Sequence, residues 1–425
     1  MRILFVSSSP INKELSVGNT FLNLFDGMEN VEFASVCTRN GKIDKSISRT
    51  FRITEKSIIR NLLKKTPVGI EVPLTSTLDN KEIQDSVPNN LINYATNKKF
   101  TIFFWLQNFI WRIGKWKSKE LADFIKDYNP DLIFTLLSDA TYLNKLILHI
   151  KSISKTKLAV YAWDNNYSMK ISALSPLRWI YRFLNRINMR KVVKNADVFY
   201  VISEVQKKDY EKAFKKECKV LTKSANFNED ADLKKEYNNP LQLVFTGNIA
   251  MNRWRSLAII AEALKEINSN SVLAQLKIYT GTNVTENMKQ ALNIAEFSQI
   301  VGSVTADKIP EIQSNADMLI HVEPMDTKNK LLVRQSFSTK IVDYFKSARP
   351  ILAVGPKDVA SIDHLIRNDC AIVADNKQEL IKKLTECINN NNKLTEIAVK
   401  GYECGKKHHD KSVMNQMFIE DLEIN

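Results

Sequence analysis

The chain has 425 residues, 44% of them hydrophobic, enough for two or three globular domains with sizeable cores. Only 11 glycines and 11 prolines exclude a fibrous or linker-dominated architecture, and a formal net charge of +14 calls for an anionic partner: nucleic acid, an anionic lipid surface or a phosphorylated substrate. Five scattered cysteines (Cys37, Cys218, Cys370, Cys387, Cys404) form no CxxC pair, so reduced thiols in a cytosolic protein are expected, without a disulfide framework or zinc site.

Residues 2–6, RILFV, read as a buried parallel strand. Their apolar run is too short for a signal peptide, and no run in the chain approaches the roughly 18–20 residues of a spanning helix. The protein is therefore expected to work on a membrane rather than through it. The loop SSSPINKELSVGNT leads to a helix expected from about Thr20 to Met28, then the strand VEFASV. This opening suits a doubly wound α/β fold, whose ligands sit at the carboxyl ends of strands. Gly18 stands in the loop without a GxGxxG pattern. Residues 40–97 are polar and poorly periodic, and are expected to be connections and short helices, one around SIIRNLLKK.

Residues 98–119 carry seven aromatics and six basic residues without an acid. Aromatics and Lys/Arg on one amphipathic helix suit an interfacial membrane segment; a core helix with snorkelling charged ends fits equally. PDLIFTL is a strand, SDATYLNKLILHI a helix, and KLAVYAW a strand ending at Asp164. A carboxylate at that tip of a parallel strand faces the ligand crevice, which makes Asp164 a candidate; it would also serve as a plain turn residue. Within 175–195, Arg178, Arg182, Arg186, Arg190 and Lys194 recur every four residues, a drifting basic stripe expected to lie against anionic lipid or a phosphorylated acceptor. ADVFYVIS and QKKDYEKAF supply the next strand and helix.

NFNEDADLKKEYNNP, 226–240, loses hydrophobic periodicity and reads as an interdomain linker. LQLVFTG then restarts the opening pattern, with NIAMNRWR as its loop and SLAIIAEALKEI as its helix. LAQLKIYTG, SQIVGSV, ADMLIHVE, RPILAVG and CAIVAD supply further strands alternating with helices. Between them, VRQSFSTKIVDYFKSARP reads as a polar loop entering a helix whose first turn holds Ser338, Thr339 and Lys340. A helix start suits a diphosphate, though Ser and Thr also cap helices for stability alone. From about Gln378 the chain is helical and charged. The expected division is an N-terminal Rossmann-like domain 1–225, a linker 226–240, a C-terminal Rossmann-like domain 241–405, and a last helix 406–425 packing back on the first domain.

Two Rossmann-like domains with phosphate-type loops mainly in the second resemble the GT-B glycosyltransferase architecture, in which the domains face a cleft. QSFSTKIVD resembles the Glu-Gly-Phe-Gly-Leu-Pro-x-x-Glu stretch of the family 4 retaining glycosyltransferases of bacterial capsule and surface-polysaccharide synthesis. On that register Gln335 stands at the first Glu, Ser338 and Thr339 at the donor-phosphate loop, and Asp343 at the second Glu, which in the family binds the ribose. LVFTGNIAMNRWRSL resembles the first loop of the nucleotide domain, which directs Gly247, Asn248 and Arg253 at the diphosphate. GSVTADKIPEIQSNADMLIHVE resembles the base-contacting stretch, through Ser303 or Val304.

The resemblance implies an enzyme that needs no metal or other cofactor and uses a UDP- or GDP-sugar. Arg253 and Lys340 would clamp the diphosphate, and Asp164 would position the hydroxyl of a lipid-linked or glycan acceptor. The stretches 98–119 and 175–195 would contact an anionic membrane surface from the cytoplasm; no nucleic-acid motif appears. Gln335 departs from the family's acid, and Glu323 in HVEP is a candidate replacement. A nucleotide-sugar epimerase or hydrolase, and a non-catalytic partner subunit, are the alternatives.

Overall fold

The computed structural model describes residues 1–72, 101–169, 176–228 and 230–422. The part of the expected connection over 73–97 and the outer ends of the two basic stretches, 98–100 and 175, lie outside the described residues. The chain forms two compact units: 1–201 with 209–220 and 418–425, and 202–208 with 221–417.

Unit 1 is built on eight strands: β1 (Arg2–Ser7), β2 (Glu32–Cys37), β3 (Ile47–Arg52), β4 (Ile70–Val72), β5 (Leu132–Leu136), β6 (Lys157–Ala162), β7 (Val198–Val201) and β8 (Lys219–Val220). Their order is β4-β3-β2-β1-β5-β6-β7-β8. Among the described residues only β4 runs antiparallel to its neighbour. The strand order turns back between β1 and β5, as in a doubly wound sheet. β3 and β4 replace the loop expected there. Charge concealed them: Arg49 of β3 is spent on Glu71 and Asp127, and Arg52 is buried against the Asn40 side chain and Gly41 carbonyl.

The first helix runs over Ser16–Leu24 rather than Thr20–Met28. Gly18 accounts for the early start, because any Cβ there would collide with the Asn12 backbone, so the first turn lies directly on the preceding loop. Gly27, at φ 84°, turns the chain after it.

Unit 2 is a fully parallel sheet of β9 (Leu241–Thr246), β10 (Ala274–Tyr279), β11 (Ser298–Gly302), β12 (Met318–Val322), β13 (Ile351–Val354) and β14 (Ile372–Ala374). The order β11-β10-β9-β12-β13-β14 is the Rossmann order, with its switch point between β9 and β12. Leu243, Phe245, Ile278, Ile320 and Leu352 fill its core, which is why these strands read as continuous apolar runs.

Residues 226–240 group inside unit 2 rather than between the units. The cause is Asp317, a fully buried carboxylate that pairs with Lys234 and accepts hydrogen bonds from Asn238 and the Gln242 N–H. Tyr402 adds a hydrogen bond to the Asn228 carbonyl. Three helices close the chain, Lys377–Ile388, Asn391–His409 and Lys411–Leu422. The last enters unit 1, where Phe418 packs on Phe25, Phe134 and Tyr200. All five cysteines are buried free thiols. Among the described residues no helix is long and apolar enough to cross a membrane.

Candidate functional site

At the switch point of unit 2, β9 ends in Thr246 and the chain turns through Gly247, with φ 145°. A side chain at Gly247 would overlap the Lys340 ammonium, so glycine here is what lets that lysine reach the strand end. The loop then passes through Met251 and Asn252, both left-handed, before the Arg253–Ile267 helix begins. Asn248 Oδ1 accepts from the Ala250 N–H at 2.6 Å and from the Thr282 hydroxyl at 3.2 Å, which fixes the loop's course.

Arg253 is the first residue of that helix. Its Nε and Nη2 lie 3.2 and 3.0 Å from Glu323 Oε2, just past β12. Ser256 ties the same helix to the Glu323 carbonyl at 2.7 Å. Glu323 is 2% exposed. Burial pushes its carboxyl up, but the His321 ring and the Arg253 guanidinium more than offset this and hold it below the usual carboxylate range. His321 Nε2 stands 3.3 Å from Oε1. Glu323 is thus committed to orienting Arg253.

Lys340 is the third charge of this group. Its ammonium stands over the Phe245 ring, 5.4 Å from the centroid, and among the described residues no carboxylate lies within ion-pair distance of it. Burial, and secondarily the Arg253 guanidinium, lower its pKa to about 8, against the opposing pull of Glu323 and Asp343. Lys340 and Arg253 are thus close enough to repel at the ends of β9 and β12, and Glu323 is bonded to Arg253 rather than to Lys340.

The segment before Lys340 differs from expectation. The helix covers only Lys340–Lys346, and Ser338 and Thr339 form the loop ahead of it. The Ile341 N–H bonds the Ser338 carbonyl in a tight turn, while the Ser338 N–H is drawn to Ser361 Oγ at 2.9 Å. Thr339 holds the N-cap position without a capping hydrogen bond, so its hydroxyl does not serve the helix. Phe337 anchors the loop from beneath, stacked on His409 and edge-on to His364. Burial keeps both imidazoles neutral, lowering His409 to about 4 and His364 well below its ordinary value. Tyr344 ties the short helix to the sheet through the Ile320 carbonyl at 3.2 Å.

The other candidates are more dispersed. Gln335 is buried, and its carbonyl accepts from Ser203 Oγ at 2.7 Å. Asp343 is held by Lys223 Nζ at 2.7 and 3.0 Å, a partner that nothing in the sequence pattern announced. Ser303 is exposed and Val304 half-buried on the loop after β11, two strands from β9. Asp164 belongs to unit 1, exposed at the carboxyl end of β6, and its carbonyl accepts from Tyr210 OH at 3.3 Å. Arg255 stacks on Trp254. His321 escaped the sequence analysis; its signal was the HVE spacing, which puts two side chains on one face of a strand. Among the described residues no group of three or more His, Cys, Asp or Glu side chains is placed to hold a metal ion.

The same double-sheet organisation occurs in solved structures. Anabaena Alr3699/HepE in complex with UDP aligns over 100% of this chain and 100% of its own, with a TM-score of 0.62 and 13% identity. The fold is GT-B. The same Anabaena protein was also solved with UDP-glucose, at a TM-score of 0.57 and 13% identity over 100% and 99% of the two chains. Sucrose-phosphate synthase from Thermosynechococcus elongatus aligns over 99% of this chain and 97% of its own, with a TM-score of 0.57 and 11% identity. TarM covers 71% of this chain with 57% of its own, at a TM-score of 0.51 and 10% identity. No family model matches the sequence, and no curated protein matches it. At these identities the GT-B likeness is one of fold.

Proposed function

We propose that the chain is a glycosyltransferase. It moves a sugar from a UDP- or GDP-sugar to a lipid-linked or polysaccharide acceptor in surface glycan synthesis, with retention at the anomeric carbon and without a metal. The observation that carries this is Lys340: a desolvated ammonium without a carboxylate partner, lodged against Gly247 beside Arg253 at the switch point of a Rossmann sheet. As the bond from the anomeric carbon to the diphosphate breaks, negative charge grows on the leaving oxygen. On this reading Lys340 and Arg253 stabilise that charge, and Glu323 supports the role of Arg253 by holding its guanidinium.

The complexes of the Anabaena protein with UDP and UDP-glucose support a nucleotide sugar as the donor. On this reading Ser338, Thr339, Gly247 and Asn248 meet the phosphates, Asp343 the ribose, Ser303 or Val304 the base, Gln335 the transferred sugar, and Asp164 the acceptor hydroxyl. The enzyme acts in the cytoplasm, peripherally at the membrane through 98–119 and 175–195.

The test is a thermal-shift panel of UDP, GDP, dTDP and ADP sugars, followed by transfer assays with the responsive donor. A UDP- or GDP-sugar is expected to raise the melting temperature, since any ligand of the native state stabilises it. Lys340→Ala and Arg253→Ala are expected to lower transfer by about 10²–10³-fold while both variants still melt cooperatively. Near-normal turnover in both would sink the proposal.

A further inference from the structure

Helix Pro176–Asn195 of unit 1 carries two kinds of exposed side chain on one face. Leu177, Ile180, Phe183, Leu184 and Ile187 are all exposed over its first three turns. At 100° per residue, Arg190, Lys191 and Lys194 continue that same face over the last turns, and they are exposed too. The basic stripe foreseen in the sequence is therefore divided. Two of its upstream members are occupied: Arg182 donates to the Ser168 and Asn165 carbonyls at 2.6 and 2.8 Å, and Arg186 lies over the Tyr167 ring. Only its downstream members reach the exposed face.

The neighbouring Thr101–Ile113 helix adds to the apolar part. Trp111 is buried, as a core helix would have it, but Phe103, Leu106, Phe109 and Ile113 are exposed. Phe104 and Trp105 pack on Tyr181, which joins the two helices. Neither helix contains an acid. Separate apolar side chains on a surface need no explanation, but a ridge on two packed helices does.

A pocket of about 550 Å³ opens at the basic end of this ridge. Arg190, Lys194, Lys215 and Lys216 ring it, and Val193 and Phe214 floor it. It belongs wholly to unit 1 and contains none of the residues around Lys340. Cations at helix C-termini commonly offset the helix dipole, and Lys216 is partly spent in this way on the Ala196 carbonyl at 2.6 Å. Arg190 is fixed by Tyr167 OH at 2.6 Å. Among the described residues, however, no carboxylate pairs with any of the four, and like charges around one concavity repel unless an anion joins them.

We propose that the pocket and the ridge are one membrane-docking site. The pocket takes the phosphate headgroup of an anionic phospholipid, while the exposed apolar side chains of the two helices enter the acyl boundary. The order along the helix is what an interfacial element requires: an apolar length of about 15 Å followed by a cationic end at headgroup level. The inference rests only on the membrane part of the proposed function, and holds or fails independently of donor chemistry.

The full-length chain is floated with vesicles of phosphatidylcholine alone or enriched in phosphatidylglycerol, at low and high salt. Binding is expected only to the anionic vesicles, weakening with salt. Lys194→Glu with Lys215→Glu should lower it by about tenfold or more, at roughly 1 kcal/mol per cation. Phe183→Ser with Ile187→Ser should leave a weaker binding that high salt removes entirely. Both double variants should keep the wild-type melting curve and UDP-induced shift, which separates failure of docking from failure of the donor site. The proposal is overturned by equal binding to neutral vesicles, by wild-type binding of the charge-reversed variant, or by full competition from soluble glycerol phosphate. Concentration-dependent self-association through Phe183 without vesicle binding would also overturn it, since the ridge would then be an interface between two copies.

Discussion

Both sheets turn back beside their first strand, but the chemistry at that turning point differs. In unit 2, the loops after β9 and β12 bring Arg253 and Glu323 together and leave Lys340 between them without a carboxylate of its own. In unit 1, the corresponding loops after β1 and β5 carry SSPINKEL and LSDA, mostly hydroxyls, amides and apolar residues, and Glu14 of the first is paired with Lys42. Each turning point also has a glycine pressed close, but to different ends. Gly18 yields to the Asn12 backbone and Gly247 to a cationic side chain. One framework thus makes one strand end whose loop is fixed by backbone packing and another where an ammonium is kept partly desolvated.

The largest test of this contrast is Glu323→Gln. Removing the carboxylate leaves Arg253 and Lys340 facing each other, and breaking so buried a pair should lower the unfolding free energy by about 3 kcal/mol, read by urea denaturation. UDP should recover part of that loss. If Glu323→Gln unfolds like wild type, the charges of unit 2 are more solvated than the geometry implies.

A pair of glycine substitutions sharpens the comparison. Gly247→Ala should weaken UDP binding by about tenfold by displacing the ammonium, a loss comparable to one hydrogen bond to a charged group. Gly18→Ala should lower the melting temperature and leave calorimetric UDP affinity unchanged. The reverse pattern would undo the assignment of charge chemistry to unit 2.

The smallest effect is pH dependence. Free Lys340 has its pKa lowered to about 8, and a diphosphate beside it must raise that value. Below about pH 8 the ammonium is already formed and affinity is complete. As pH rises through 8, binding must take up a proton and affinity should fall, by about tenfold per pH unit at most. Calorimetry in two buffers of different ionisation enthalpy would detect the uptake, and Lys340→Met should abolish it.

Much of this was legible in the sequence because parallel strands buried on both faces write themselves as apolar runs. LQLVFT, MLIHV and ILAV could be placed by eye, and so could the Arg253 and Lys340 loops that follow strand ends. What could not be read depended on partners distant in sequence. ISRTFR looked like a loop because its arginines find Glu71, Asp127 and the Gly41 carbonyl only after folding. Asp343 carries no mark of Lys223, 120 residues earlier. The segment 226–240 reads as a tether until Asp317 gathers it in. Periodicity records which side of an element is buried, and not which charge will be waiting there.

The path of the last helix has a consequence for biosynthesis. Phe418 is 1% exposed in the core of unit 1, among Phe25, Phe134 and Tyr200, and Lys157 and Lys219 of that unit are bound to Leu422 and Asp421. A chain emerging from the ribosome therefore holds β1 to β8 for as long as it takes to translate some 200 further residues before the plug for their core exists. Unit 2 has its whole sheet by Ala374 and faces no such wait. The unit made first is the one completed last.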